Sequence, residues 1–393
     1  MKMFIGSVDE EQRARADALF VILSVAILLT GTFFVVGICC SEGYFLRAGI
    51  EEGETLRLVF RRVIFTLGSI GVLWICSCLP MRFYRRVAGF LFAAAVVLAG
   101  FASVFGIHNL SEGTVLSLGQ ISIRPVEFVF LALVLYYPSM LCRRADSMRS
   151  FRRGLLPFLP YTLGLTALLL LQREITAAVA FYLCSLAFIT IGGGRHRWLV
   201  FGLITVVAVC FVAMWSSEYL RNEISVWQNP GADLSGRGAE ILASVRAIAN
   251  GSWFGCGIGG GTTLSDALLA ERNDFMFSSV FEQTGYVGAM SLLLIFFLLV
   301  FRGFRLSVCA QDRYSALVGS GLSAWMAIKV FLAVSAAVNL LPVTGTTLPF
   351  FGAGGSDLLL SAAEMGIILS VSREVSLSAE NLNTDTTETE VVS

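Results

Sequence analysis

Residues 18–40 read ALFVILSVAILLTGTFFVVGICC, 23 residues in a row without a charged side chain. A bilayer's hydrocarbon core is about 30 Å thick and takes roughly 20 apolar residues in helix, so the run predicts a membrane span. It is too long for a cleaved signal peptide, and no small-residue cleavage site follows it. Worked outward, the same reading predicts spans at 63–80, 87–106, 126–142, 155–171, 175–193, 198–215, 279–300, 315–341 and 357–372. Composition agrees: 56% of the 393 residues are hydrophobic and 14% charged, where a soluble domain carries about a quarter charged. The expected fold is therefore an all-α integral membrane protein of about ten transmembrane helices. The formal net charge is zero, so no basic balance points to nucleic acid.

Charges next to the spans set the expected orientation, because Lys and Arg there are retained in the cytoplasm. One set of connections holds Arg82, Arg85, Arg86, Arg143, Arg144, Arg149, Arg152, Arg153, Arg195, Arg197, Arg302, Arg305 and Arg313. The alternate connections hold fewer, namely Arg47, Arg57, Arg61, Arg62, Arg124 and Arg173. Both termini are thus expected inside, with a cytoplasmic segment at 1–17, a membrane domain at 18–372 and a large non-cytoplasmic loop at 216–278. Arg61 and Arg62 sit against this pattern; beside Glu51, Glu52 and Glu54 they read as an interfacial cluster. The large loop is too long for a simple connection and is expected to fold against the membrane with a short helix or two. The tail, 373–393, is acidic and rich in Ser, Thr and Asn, and is expected to be disordered.

Ionisable groups within or beside spans are costly and draw functional suspicion. They are Glu127, Glu174, Glu282, Lys329 and Glu364. Glu174 and Glu364 read as groups that pair with a neighbour or snorkel to an interface, and Glu127 and Lys329 as opposite charges that neutralise each other. In the large loop, Gly255-Cys256-Gly257-Ile258-Gly259-Gly260-Gly261 lacks the GK[ST] ending of a nucleotide-binding loop, and no strand precedes it. Two readings stay open: backbone N–H groups wrapping a lipid-linked pyrophosphate, or a tight re-entrant turn. Asp274, where the loop re-enters the membrane, reads as a surface charge, a helix N-cap or a general base. The cysteines form no CxxC pair, and with His108 and His196 they make no zinc set, so no protein-built metal site is expected.

Five motifs carry a resemblance to the SEDS family, the FtsW, RodA and SpoVE type, along nearly all of 17–373. Gly119 to Glu127 resembles the family's LG-x-x-x-x-QPSE, and Leu171-Gln172-Arg173-Glu174 its LQPD. Ser244 to Gly259 resembles QS-x-x-A-x-x-x-G-x-x-x-G-x-G-x-G. Asn273-Asp274-Phe275-Met276-Phe277 with Glu282 resembles TDFIF-x-x-x-x-E, and Leu341 to Ser356 resembles LPVTGITLPFISYGGSS. The resemblance implies polymerisation of lipid II into glycan strands in the bacterial cytoplasmic membrane or at the division septum. It implies a class B penicillin-binding transpeptidase and other division or elongation proteins as partners, and no cofactor built into the protein. It makes Asp274 the candidate catalytic residue, with Arg246, Arg272, Glu282 and the backbone of Gly255, Gly257 and Gly259 as candidate substrate contacts. A lipid II flippase, or a non-catalytic activator of the transpeptidase, is the alternative. The chain departs from the pattern at Arg124, Phe130, Arg173, Arg272, Gly352 and Ala353, and at Lys329, where the family has a Gln. Phe130 replaces a Lys, so Lys329 is expected to supply the partner of Glu127. Gly257-Ile258-Gly259 and Thr347-Leu348-Pro349-Phe350 lean towards the division type.

Overall fold

The structure is a computed structural model that describes residues 17–39, 52–105, 107–109, 113–118, 121–144, 148, 150, 154–172, 174–193, 196–216, 218–234, 236–261, 275–343, 345–352 and 354–391. Seven helices among these are long and apolar enough to cross a membrane. They are α1 (Ala18–Cys39), α2 (Glu52–Cys78), α3 (Met81–Phe105), α4 (Pro125–Arg143), α10 (Met276–Val308), α11 (Arg313–Ala337) and α12 (Gly355–Val391). Shorter or partly described apolar helices, α5 (Leu159–Leu171), α6 (Ile175–Ile191) and α7 (His196–Ser216), stand where the other three spans were expected. The large loop carries α8 (Glu218–Gln228), a single 3₁₀ turn (Pro230–Ala232) and α9 (Arg237–Gly251).

Sequence chemistry accounts for where these helices begin. Asp17 caps α1, its carboxylate accepting the Phe20 N–H at 2.9 Å, and Pro125 opens α4 at a position where the missing N–H costs nothing. α12 and α4 are the most enclosed of the long spans, and α2 packs along α12 with much of its own surface turned outward. Large side chains such as Phe130, Phe181, Tyr314 and Phe351 fill the interior between them.

Four features differ from expectation. The connection between α3 and α4 forms an antiparallel three-stranded sheet, β1 (Ile107–Asn109), β2 (Gly113–Leu118) and β3 (Ile121–Ile123), with Ile107 opposite Val115 and Leu116 opposite Ile123. The backbone of the tail continues α12 as helix through Val391 rather than ending at 373, since neither Gly nor Pro follows Gly366 to stop it. α10 breaks at Gly285, whose φ of 68° and ψ of −169° are not helical, so 276–284 forms a separate piece above the span. Arg62 is buried, not interfacial, for a reason that belongs to the site.

Candidate active site

Deep in the half of the bundle that carries the large loop, four charged side chains meet. Lys329 on α11 is 1% exposed, and its Nζ donates to both carboxylate oxygens of Glu364 on α12, at 2.9 and 3.2 Å. The same ammonium donates to Glu127 of α4 at 3.3 Å. Asp357, in the first turn of α12, accepts the Thr347 hydroxyl at 2.8 Å. Lys329 lies eight residues inside the end of α11 and Glu364 nine inside the start of α12. At 1.5 Å per residue that is about 12–14 Å, close to the middle of a 30 Å core. Glu127 meets them from the first turn of its helix, so α4 starts below the rim of the bundle and leaves a recess above it. Helix N-termini favour carboxylates, and Glu127 and Asp357 both sit in first turns.

That recess is a cleft lined by Arg124, Glu127, Glu174, Trp325, Leu332, Gly345 and Thr346, among others. Glu174 stands at the N-cap of α6. Gly345 has φ +65°, with Glu174 Oε2 4.0 Å from where a β-carbon would be, and its carbonyl accepts from Arg124 at 3.1 Å. On the inner wall Phe130 stacks on Trp325 with ring centroids 3.5 Å apart. Lys329 Nζ lies 5.5 Å from the same Trp325 ring. An aromatic ring on α4 and a cation on α11 thus occupy one packed unit.

The connection from α11 to α12 reaches the cleft at Gly345 and Thr346. Leu348, Phe350 and Phe351 are buried, and Phe350 holds φ +69°, costly for a bulky residue. Irregular backbone inside a bundle leaves carbonyls that need donors. Arg62 supplies them from α2, donating through Nη2 to Phe350 O at 2.5 Å and through Nη1 to Gly352 O. A planar guanidinium with forked donors suits two carbonyls two residues apart. This is why Arg62 is buried: the electrostatics of a span end do not decide its position, the loop does.

The glycine run is built as the tight turn. Cys256 and Gly257 N–H groups donate to the Glu282 and Gln283 carbonyls at 3.0 and 3.1 Å, Gly255 N–H to Gly251 O at 2.7 Å, and Gly260 N–H to Gly257 O at 3.1 Å. Gly259 N–H points to Gln283 Oε1 at 3.4 Å. These N–H groups cap the break in α10 and do not face an open cradle. Positive φ at Gly255, Gly257 and Gly259 shapes the turn. Glu282 is buried beneath it, its Oε2 2.8 Å from where a Gly261 β-carbon would be. Burial first, then the charge of Glu282, pushes the Cys256 thiol up, away from the thiolate that a nucleophile needs.

The large loop docks beside the cleft. Ser244 donates to Ala337 O at 2.8 Å and shares a hydrogen bond with Ser278 at 2.6 Å. Trp227 donates to Asn339 O at 3.2 Å. Phe275 is buried with Ile241, Ala243 and Ala247 and packs near Val343, two residues before Gly345. The structure therefore unites Glu127, Glu174 and Lys329 at one cleft, and the glycines with Glu282 at the turn. Arg246 lies on the exposed face of α9. Asp274 and Arg272 lie outside the described residues. Sequence reasoning missed Glu364 as the closest partner of Lys329, and it missed Asp357 and Arg62. A spacing of seven, Asp357 to Glu364, puts both on one helix face and was the available signal.

A profile of the family described as "Cell cycle protein" (FtsW, RodA, SpoVE) matches residues 18–377. Stage V sporulation protein E of Bacillus subtilis is 28% identical over 366 residues, 92% of this chain and 98% of that one. A protein of Aeromonas salmonicida called "Probable peptidoglycan glycosyltransferase FtsW" is 26% identical over 363 residues, 91% of each chain. Among solved structures, a chain from work on "Structural coordination of polymerization and crosslinking by a peptidoglycan synthase complex" superposes with a TM-score of 0.74 at 25% identity, covering 92% of this chain and 98% of that one. The Thermus thermophilus rod shape determining protein RodA does so at 0.64 and 24% identity, over 91% and 97%. The fold is that of a multi-pass membrane protein, and the chain belongs to the FtsW, RodA and SpoVE family of cell cycle proteins.

Proposed function

We propose that this chain is a peptidoglycan glycosyltransferase that polymerises lipid II at the large-loop face of the bacterial cytoplasmic membrane, working with a class B penicillin-binding transpeptidase. The observation that carries this reading is similarity along nine-tenths of the chain to relatives named as such glycosyltransferases. The charged cleft beside the large loop supplies a place for the chemistry. Asp274 is the general base: it takes the proton from the acceptor sugar hydroxyl as that oxygen attacks the donor anomeric carbon, which inverts. The bond to the lipid pyrophosphate breaks, and cations stabilise the charge that develops on the leaving group. Arg124 in the cleft and Arg246 and Arg272 from the loop serve as those cations. Support for Asp274 comes from the residue after it, Phe275, which is anchored near Val343, two residues before the cleft-lining Gly345.

Purified protein with lipid II tests the reading, with and without a transpeptidase partner. Glycan strands are expected from the wild type, and Asp274→Asn should lower the rate by about 10²–10⁴-fold with insertion unchanged. Asn caps a helix about as well as Asp, so a capping role would leave the variant near normal. That outcome removes Asp274 as base, whereas no polymer from the wild type in either condition removes the enzyme reading itself.

A further inference from the structure

The turn after α9 carries an unusual surface. From Gly251 to Gly261 the chain has no charged residue, yet Trp253 is 67% exposed, Phe254 81% and Ile258 59%. A loop in water rarely presents three such side chains side by side without a partner. Two membrane spans bracket this turn. On one side, the Tyr286 N–H donates to Ser252 O at 2.9 Å and the Val287 N–H to Trp253 O at 3.2 Å, so the turn is fastened to α10 where its membrane part begins. Trp253 packs edge-on against Tyr286 with centroids 5.4 Å apart. On the other side, Ile258 Cγ2 lies 3.4 Å from the β-position of Gly37, near the end of α1.

Tyr286, Met290, Leu294, Phe297 and Phe301 form an exposed stripe at helical spacing along α10, the face this span turns to lipid. Trp253 and Phe254 prolong that stripe beyond the end of the span. Trp and Tyr concentrate where hydrocarbon meets headgroups, because an apolar ring with one polar atom suits both sides. We infer that the Ser252–Ile258 turn is a membrane anchor, inserted among the phospholipids of the leaflet on the large-loop side. Continuity with the lipid-facing stripe of α10 and contact with the end of α1 argue for lipid as the occupant over a protein segment. The anchor fixes the height of the glycine turn and of Glu282 beneath it at headgroup level, where a lipid-linked pyrophosphate would also lie. It does not depend on the glycosyltransferase reading.

Photocrosslinking in the full-length protein, in native membranes, tests this. p-Benzoylphenylalanine replaces Phe254 in one variant, Ile258 in a second and lipid-facing Phe297 in a third as the reference. Mass spectrometry after irradiation should find phospholipid adducts at Phe254 and Ile258 in yields like that at Phe297. Adducts only to protein, or lipid yields several-fold below the reference at both positions, overturn the proposal. As a second readout, the emission lost in Trp253→Ser should be quenched in the wild type by headgroup-level nitroxide lipids; quenching of that component by aqueous acrylamide instead also overturns it.

Discussion

Replacing Lys329 with Met removes the one cation, among the described residues, within bonding distance of the fully buried Glu364, and takes the same partner from Glu127. Breaking a buried ion pair from one side costs about 3–5 kcal/mol, and with two carboxylates stranded near mid-membrane the upper end is expected. Glu364→Gln leaves Lys329 with one partner at 3.3 Å, and about 3 kcal/mol is expected. Glu127→Gln leaves the two-point contact to Glu364 in place. It removes one charge-assisted hydrogen bond from a group at the cleft wall, a loss of about 1.5–3 kcal/mol. In Lys329→Met/Glu364→Gln neither buried charge remains, and Glu127 can draw water from the cleft. The double variant should therefore fall short of the sum of its singles by about 2–3 kcal/mol. Reversible unfolding by sodium dodecyl sulfate in mixed micelles, followed by far-ultraviolet circular dichroism, measures the wild type, the three single variants, this double variant and Lys329→Met/Glu127→Gln. Single losses that add within about 0.5 kcal/mol would refute the coupling. So would a Glu127 coupling larger than that of Glu364, because it would reverse the order the distances set.

Arg62→Met should cost about 3 kcal/mol or more by leaving the Phe350 and Gly352 carbonyls without their charged donor. Arg62→Lys should recover little, since one ammonium cannot reproduce the fork, and an unchanged unfolding midpoint for either variant would contradict the loop's dependence on it. Gly285→Ala forces a β-carbon to within 2.4–2.5 Å of the backbone of Gly255 and Phe254 at a φ of +68°. It should destabilise the large loop by about 1–3 kcal/mol and speed proteolysis between α9 and α10, and equal protease resistance would argue against the break as drawn. The Arg302 guanidinium bonded to Asp17 holds its carboxyl below the usual range. A depressed carboxyl stabilises the fold above its unfolded value, near pH 4, and that contribution fades as pH falls through the folded value. Asp17→Asn keeps the α1 cap but loses the ion pair, so it should be slightly less stable than wild type at pH 7, and the gap should close as the pH falls through the depressed folded value; a gap that changes between pH 6 and 8 would count against the pairing.

The spans were legible because apolar length is a one-dimensional property: α1 ends one residue from the expected boundary, and α11 and α12 begin two residues before theirs. The Glu127–Lys329 pair was legible because few charges fall within the expected spans and Lys329 is the one cation among them. Glu364 was set aside as a group that pairs or snorkels, and nothing along the chain says that α12 is the most enclosed span. Arg62 was misplaced because charge rules treat a span end as facing water. The signal against that reading lies nearly 290 residues away, in Leu348-Pro349-Phe350-Phe351, an apolar stretch with no helical period between turn residues. Such a stretch must bury irregular backbone, and its carbonyls must find donors on another element. The glycine run had two readings, with spacing alone favouring the turn, and the position of the Glu282 and Gln283 carbonyls agrees with it.

Arg62 has a consequence for how the chain is made. Its partners, the carbonyls of Phe350 and Gly352, are synthesised nearly 290 residues after it. At a typical elongation rate of about 5–20 residues per second, α2 waits on the order of 15–60 s with an arginine in a segment bound for the bilayer. An arginine costs about 2.5–3.5 kcal/mol at the centre of an inserting helix and less toward its end, where Arg62 lies. Glu127 waits in the same way for Lys329, some 200 residues later. The first half of the bundle is thus incompletely satisfied until the last two spans arrive, and biogenesis of this protein is a C-terminal event. A ribosome stalled before residue 341 should leave α2 loosely held and prone to extraction, while one stalled after α12 has emerged should not.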